Sequence, residues 1–127
     1  MFKDADTFST FSVDDLDAAQ AFYTDTLGLD TEKMDMGVME LKLKDGNHVT
    51  IYPKPNHEPA SFTVLNFIVP NIEQAVDELT AKGIQMERYD MPQMNQDARG
   101  IARDDFGPAI AWFKDPAGNI LAVLEAR

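Results

Sequence analysis

The sequence predicts an α+β protein made of two βαβββ modules, and three observations carry the prediction. Two hairpin signals recur: a strong one at Ile110 to Leu124, where Asp115-Pro116-Ala117-Gly118-Asn119 turns the chain, and a weaker one in LKLKDGNHVTIY around Asp45-Gly46-Asn47. Each lies downstream of an alternating run that leads into one amphipathic helix, so the order of elements is the same in both halves. Setting Asp15 beside Asn71 gives an offset of 56 (71 − 15), and setting Gly46 beside Gly118 gives 72 (118 − 46). The difference of 16 (72 − 56) places an insertion in the second half at about Asp90 to Asp105.

Taken in order, Thr7 to Val13 alternates between two faces and reads as a strand. Asp14 and Asp15 supply an N-cap and a negative first turn. Leu16, Ala19, Phe22, Tyr23 and Leu27 then recur at helical spacing until Gly28 ends the run, which predicts a helix over Asp15 to Leu27. Leu29 to Tyr52 holds three short strand-like runs. The stretch Tyr52 to Ala60 carries three prolines, which exclude both helix and central strand. The second half repeats the pattern with a strand at Phe62 to Val69 and a helix over Asn71 to Lys82, in which Asn71 caps and Gln74 is placed to reach back. Ile84 to Tyr89 is strand-like, Asp90 to Gly100 is a polar, Met-containing loop, and the closing hairpin follows. The boundaries are module one at 1–53, a linker at 54–60 and module two at 61–127, together one domain with enough chain to bury a core.

The totals narrow the function classes. A net charge of −11 makes nucleic acid a poor partner, because phosphate contacts need clustered Lys and Arg, and it favours cationic ligands. Zero cysteines exclude disulfides, thiolate nucleophiles and Cys-ligated zinc. No apolar run approaches the roughly 20 residues that span a bilayer. The acidic start MFKDADTF lacks the basic and apolar parts of a secretory signal, so a cytoplasmic protein with no membrane partner is expected.

The segments SVDDLDAAQAFYTDTLGL and AWFKDPAGNILAVLE resemble the signature segments of the vicinal oxygen chelate superfamily, which includes glyoxalase I, extradiol dioxygenases, fosfomycin-resistance enzymes and bleomycin-resistance proteins. The resemblance implies a curved mixed sheet around a cavity, helices on the outer face, and a homodimer. It further implies a divalent metal held by one residue on the first and one on the last strand of each module. Carried over residue by residue, those positions are Phe8, Thr50, Val64 and Ala122. Phe, Val and Ala offer no donor and one Thr hydroxyl cannot hold a cation, so no metal and no cofactor are expected.

Strand alternation puts Phe8, Thr10, Ser12, His48, Thr50, Tyr52, Val64, Asn66, Ile68, Ala122 and Leu124 on one face. Phe11, Val49, Ile51, Leu65, Phe67, Leu121 and Val123 fall on the opposite, apolar one. The ligand-binding residues expected are Phe8, Thr10, His48, Thr50, Tyr52, Val64, Asn66 and Ala122, with Trp112 as an aromatic wall. The resemblance to the bleomycin-resistance branch implies a metal-independent protein that sequesters an apolar or cationic aromatic small molecule. The alternative is a metal-independent lyase, isomerase or dioxygenase-like enzyme with His48 or Tyr52 as acid or base. His57, in the Pro-rich stretch, either caps its loop by hydrogen bonds or closes over a ligand, and no Ser-His-Asp arrangement is placed by the sequence.

Overall fold

The computed structural model describes residues 1–89, 94–104 and 107–126; positions 90–93 and 105 of the insertion lie outside them. The chain divides into two compact units, Met1–Glu58 and Pro59–Arg127. In the first, β1 (Ser9–Val13) leads to α1 (Leu16–Ala21), and then come β2 (Asp30–Lys33), β3 (Met39–Lys42) and β4 (His48–Pro53). These strands form a sheet in the order β1-β4-β3-β2, with β1 parallel to β4 and the other pairs antiparallel.

Asp15 caps α1, its carboxylate accepting from the Ala18 N–H at 3.1 Å. The predicted helix reaches its expected end, but Phe22–Thr26 is wound as a π-helix, in which the Leu27 N–H bonds the Phe22 carbonyl five residues back. Widening the turn narrows the angle between successive side chains, which lets the adjacent Phe22 and Tyr23 both be buried. Their rings meet edge to face at 5.1 Å. The core of this unit is Val13, Ala19, Phe22, Tyr23, Met39, Leu41, Val49 and Ile51, all at most 7% exposed.

The second unit contains β5 (Thr63–Val69), α2 (Ile72–Ala81), β6 (Ile110–Lys114) and β7 (Ile120–Glu125), with sheet order β5-β7-β6 and β5 parallel to β7. Asn71 caps α2 by accepting from the Gln74 N–H at 3.0 Å, and Glu125 accepts from the Ile72 N–H at 3.0 Å. The Glu125 carboxylate thus puts a negative charge at the helix start and satisfies another orphan donor. The Gln74 side chain does not reach back as expected; it donates to Glu78 one turn on.

Ile84 to Tyr89 is also not a strand. Its register beside β6 is reduced to one bond from the Glu87 N–H to the Trp112 carbonyl, and Ala102, from the insertion, bridges both Ile110 and Gln96. The insertion occupies part of the edge of β6 that a complete strand needs. Among the described residues module two therefore has three named strands where the sequence pattern predicts four.

The duplication is preserved in the hydrogen bonding. Thr10 pairs with Thr50 and Asn66 with Ala122, positions related by the same offsets, 56 (66 − 10) and 72 (122 − 50). The turns match too: the Leu43 N–H bonds the Asn47 carbonyl at 2.8 Å, and the Asp115 N–H bonds the Asn119 carbonyl at 3.0 Å. Asp115 is 4% exposed, and its carboxylate accepts from the Ala117 and Asn119 N–H groups and the Asn119 side-chain amide. Gly118 holds φ 86°, and a Cβ there would meet the Pro59 ring at 3.2 Å.

Replacing the Asp115 carboxylate by a methyl removes three hydrogen bonds, two from backbone donors and one from a buried amide, at about 1 kcal/mol each. Asp115→Ala is expected to lower stability by about 3 kcal/mol in urea unfolding; a loss under about 1 kcal/mol would mean that water replaces the carboxylate.

Candidate functional site

The face of sheet one turned away from its buried core is polar and half open. Because side chains alternate, burying Met39, Leu41, Val49 and Ile51 sends Glu40, Lys42, His48, Thr50 and Tyr52 to the other side. Pairing then aligns Thr10, Thr50, Glu40 and Glu32 in one row across all four strands. A neighbouring row sets His48 beside Lys42 and Asp30. Ser12 and Tyr52 are partners in a third.

Five of the expected ligand-binding residues, Phe8, Thr10, His48, Thr50 and Tyr52, share this face. Phe8 is 61% exposed and stacks on His48, with ring centroids 5.3 Å apart and planes at 23°.

The charges on this face are unequal. Glu32 and Glu40 are direct cross-strand neighbours, an arrangement that destabilises a sheet unless a cation intervenes. Lys42 supplies one, its ammonium 2.8 Å from Glu32. Hydrogen bonding to Glu32 first, then attraction to Glu32, Glu40 and Asp30, raises the Lys42 ammonium above its ordinary value of 10.5. Glu40, half-buried beside Thr50, is the more enclosed carboxylate of the pair, and the cation is engaged with the other.

In unit two the expected residues are separated by burial. Val64 is the unpaired residue of a β-bulge between Thr63 and Leu65, and Asn66 is exposed. Ala122 and Trp112 pair across β6 and β7 and are 0% and 9% exposed. Tyr89, Met94, Ala102, Ile110 and Leu124 pack on this cluster, and the Tyr89 ring meets Trp112 edge-on at 5.3 Å. Burial first, and the Glu87 carboxylate second, raise the Tyr89 phenol above its ordinary value of 10.0.

Gln96 locks this cover in place. Its side chain accepts from the Tyr89 N–H at 2.8 Å and donates to the Glu87 and Gly100 carbonyls at 2.9 and 2.8 Å. Asp97 organises the following turn. Partial desolvation pushes its carboxyl up, but bonds from the Ile101 N–H, the Arg103 guanidinium and the Arg99 N–H outweigh it and hold the carboxyl below its ordinary 3.8. An open cleft of about 470 Å³ lies nearby, lined by Asp77, Ile84, Met86, Arg88 and Arg99 among others. Its two guanidinium groups are engaged, Arg99 by Asp77 and Arg88 by the Ala98 carbonyl.

The four positions that the resemblance assigns to metal ligands do not fit a metal. Phe8 offers a ring stacked on His48, Val64 and Ala122 offer alkyl groups, and Thr50 offers one hydroxyl, so no imidazole or carboxylate stands at any of them.

Two features of the face escaped the sequence reading. Glu40 was legible from the alternation of Met39-Glu40-Leu41-Lys42 once β3 was set beside β4. The other is a Ser-His pair, for which the sequence placed no Ser-His-Asp arrangement: Ser12 Oγ lies 2.7 Å from His57 Nδ1. These residues are 45 apart in sequence, and no local signal links them.

Residues 8–123 match the family described as Glyoxalase/Bleomycin resistance protein/Dioxygenase superfamily. No curated protein matches the chain. Among solved structures, the antibiotic binding protein TnmS3 from Streptomyces sp. CB03234 is 17% identical, covers 98% of each chain and has a TM-score of 0.70. A lactoylglutathione lyase from Agrobacterium tumefaciens is 23% identical over 97% of this chain and 94% of its own, with a TM-score of 0.69. The fosfomycin resistance protein FosX from Listeria monocytogenes is 12% identical over 97% and 93%, with a TM-score of 0.71. At these identities the likeness is one of fold.

Trp112 is the sole tryptophan and reports on the cover directly. Gln96→Ala is expected to shift its emission to the red and raise its quenching by iodide; an unchanged spectrum would show that apolar packing alone holds the loop. The low carboxyl of Asp97 also fixes a sign. A group with a depressed folded-state value stabilises fully above its unfolded value and loses that contribution as pH falls through the folded one. The stability difference between the wild type and Asp97→Asn is therefore expected to be constant above pH 3.8 and to shrink below it, in urea titrations at stepped pH.

Proposed function

Because the chain belongs to the Glyoxalase/Bleomycin resistance protein/Dioxygenase superfamily, we propose that it is a metal-independent small-molecule binding protein of that family, sequestering an apolar or cationic aromatic ligand. The observation that carries this reading is the face of sheet one. It presents an aromatic ring and a hydroxyl, Phe8 and Thr50, where a metal enzyme of the family needs metal ligands, and an under-neutralised carboxylate, Glu40, beside them.

A ligand ring would lie against the Phe8–His48 stack or Tyr52, and its cationic group would approach Glu40, beside Thr10 and Thr50. In unit two, taken by itself, exposed Asn66 and the bulged Val64 are the residues proposed to be open to a ligand. Trp112 and Ala122 would support these two residues from the buried side of the same sheet. The fold shared with an antibiotic binding protein is consistent with a sequestering role.

The protein is further proposed to act in the cytoplasm as a homodimer. Both β1 and β5 are edge strands, and exposed Phe8, Phe62 and Ile68 lie on or next to them at 61%, 66% and 75%. Unprotected edges with apolar side chains are commonly covered by a second copy. Among the described residues, no helix is long and apolar enough to cross a membrane. Acid–base catalysis by His48 or Tyr52 is the less supported reading. The His48 ring is stacked on Phe8, and among the described residues no carboxylate is hydrogen-bonded to it.

Thermal-shift screening of matched cationic, neutral and anionic aromatic compounds tests the reading, since a ligand at a hundred times its Kd adds about 2.7 kcal/mol of stability. Cationic compounds are expected to dominate, to weaken with added salt, and to lose about five-fold in affinity in Glu40→Gln, the equivalent of about 1 kcal/mol for a partly exposed charge pair. Hits that are mainly anionic, or cationic hits indifferent to both salt and Glu40→Gln, would overturn the charge assignment. Sedimentation of a monomer at micromolar concentration would remove the dimer.

A further inference from the structure

The Ser12–His57 pair is placed by three separate constraints. Parallel pairing of β1 with β4 puts Ser12 beside Tyr52 on the open face. The Lys54 N–H then bonds the Val13 carbonyl at 2.9 Å, which fastens the start of the Pro-rich segment to the end of β1. A turn closed by the His57 N–H on the Lys54 carbonyl, at 3.0 Å, brings the imidazole back over β1, with Pro53 and Pro55 restricting the backbone between. The result is a hydroxyl and an imidazole nitrogen 2.7 Å apart, both half-buried.

We propose that Ser12 is a nucleophile activated by His57, and that this face accepts small esters with an aromatic leaving group, transferring their acyl group to Ser12 Oγ. The spacing is that of a nucleophile and its base, and a hydroxyl needs such a base because it is a weak nucleophile while protonated. His57 takes the hydroxyl proton at Nδ1 as Oγ bonds to the carbonyl carbon. The bond from that carbon to the leaving oxygen then breaks, and the proton on Nδ1 passes to the departing phenoxide. In the second half-reaction, water gives its proton to Nδ1 and attacks the acyl carbon, the bond to Oγ breaks, and Oγ recovers the proton. An ester and water become an acid and a phenol, with no redox partner required. The Tyr52 ring, cross-strand from Ser12, provides an aromatic neighbour for the leaving group.

This activity does not depend on the cationic ligand proposed above, since it is read with a neutral probe and at a different residue. The full chain is incubated with p-nitrophenyl acetate, and both p-nitrophenol release and the intact mass are followed. The expected result is a burst of p-nitrophenol with a mass gain of one acetyl group, mapped to the peptide containing Ser12. Ser12→Ala is expected to lose the adduct and at least ten-fold of the burst rate, while Ser12→Cys, with an isosteric nucleophile, retains an adduct at the same position. His57→Ala is expected to slow acylation by a similar factor and to be partly rescued by added imidazole, which a purely structural histidine would not show. Unchanged far-ultraviolet circular dichroism and urea midpoint in each variant confirm folding. Acetyl found on His57, Tyr52 or a lysine in place of Ser12, or a burst unaffected in Ser12→Ala, would falsify the proposal.

Discussion

Everything about this site follows from one constraint, the parallel pairing of the first strand of each module with its last. A parallel connection cannot be made by a tight turn, so the chain must cross over, and in module one α1 with β2 and β3 makes that crossing. The pairing sets the register of Thr10 against Thr50 and Ser12 against Tyr52, joining residues some 40 positions apart in the chain. It also leaves β1 and β5 at the edges of their sheets.

The two halves share this frame and have used it differently. Module one completes four strands, buries one face beneath α1 and leaves the other polar. Module two carries the insertion, and its equivalent face is partly filled by Tyr89, Met94 and Ala102 over Trp112, Ile120 and Ala122. Covering apolar surface in this way stabilises by about 25 cal/mol for each Å² removed from water, without the backbone bonds of a fourth strand. Gln96 explains how the cover keeps a fixed shape: its amide satisfies three backbone groups that would otherwise be left without strand partners.

Electrostatics separates the two halves further. The arginines of the insertion are spent within their own unit: Arg99 on Asp77, and Arg103 on Glu73 and Asp97. These pairs are close to half exposed and contribute little to stability individually, but they tie the insertion to α2. The open face of module one is left with carboxylates that outnumber its lysine. The overall charge of −11 thus has a local expression on the surface where a ligand is proposed to bind.

Elements whose chemistry is local were legible in the order of residues alone. Asp15 and Asn71 cap helices because a short side-chain acceptor lies within reach of the third N–H beyond it. Asp115 and Gly118 close the final hairpin because the carboxylate and the positive φ are needed within five residues. Alternation alone sorted His48, Thr50 and Tyr52 from Val49 and Ile51. Only the tertiary structure decided where distant segments meet. The nearness of Ser12 to His57 depends on a crossover and a pinned loop, the row from Thr10 to Glu32 depends on three strand registers, and the burial of Trp112 depends on a loop whose composition reads as polar. Ile84 to Tyr89 shows the same limit, since its strand-like pattern was real but the edge it needed was partly taken by Ala102. A strand exists through its partner, and a sequence states the pattern of one strand without stating which edge remains free.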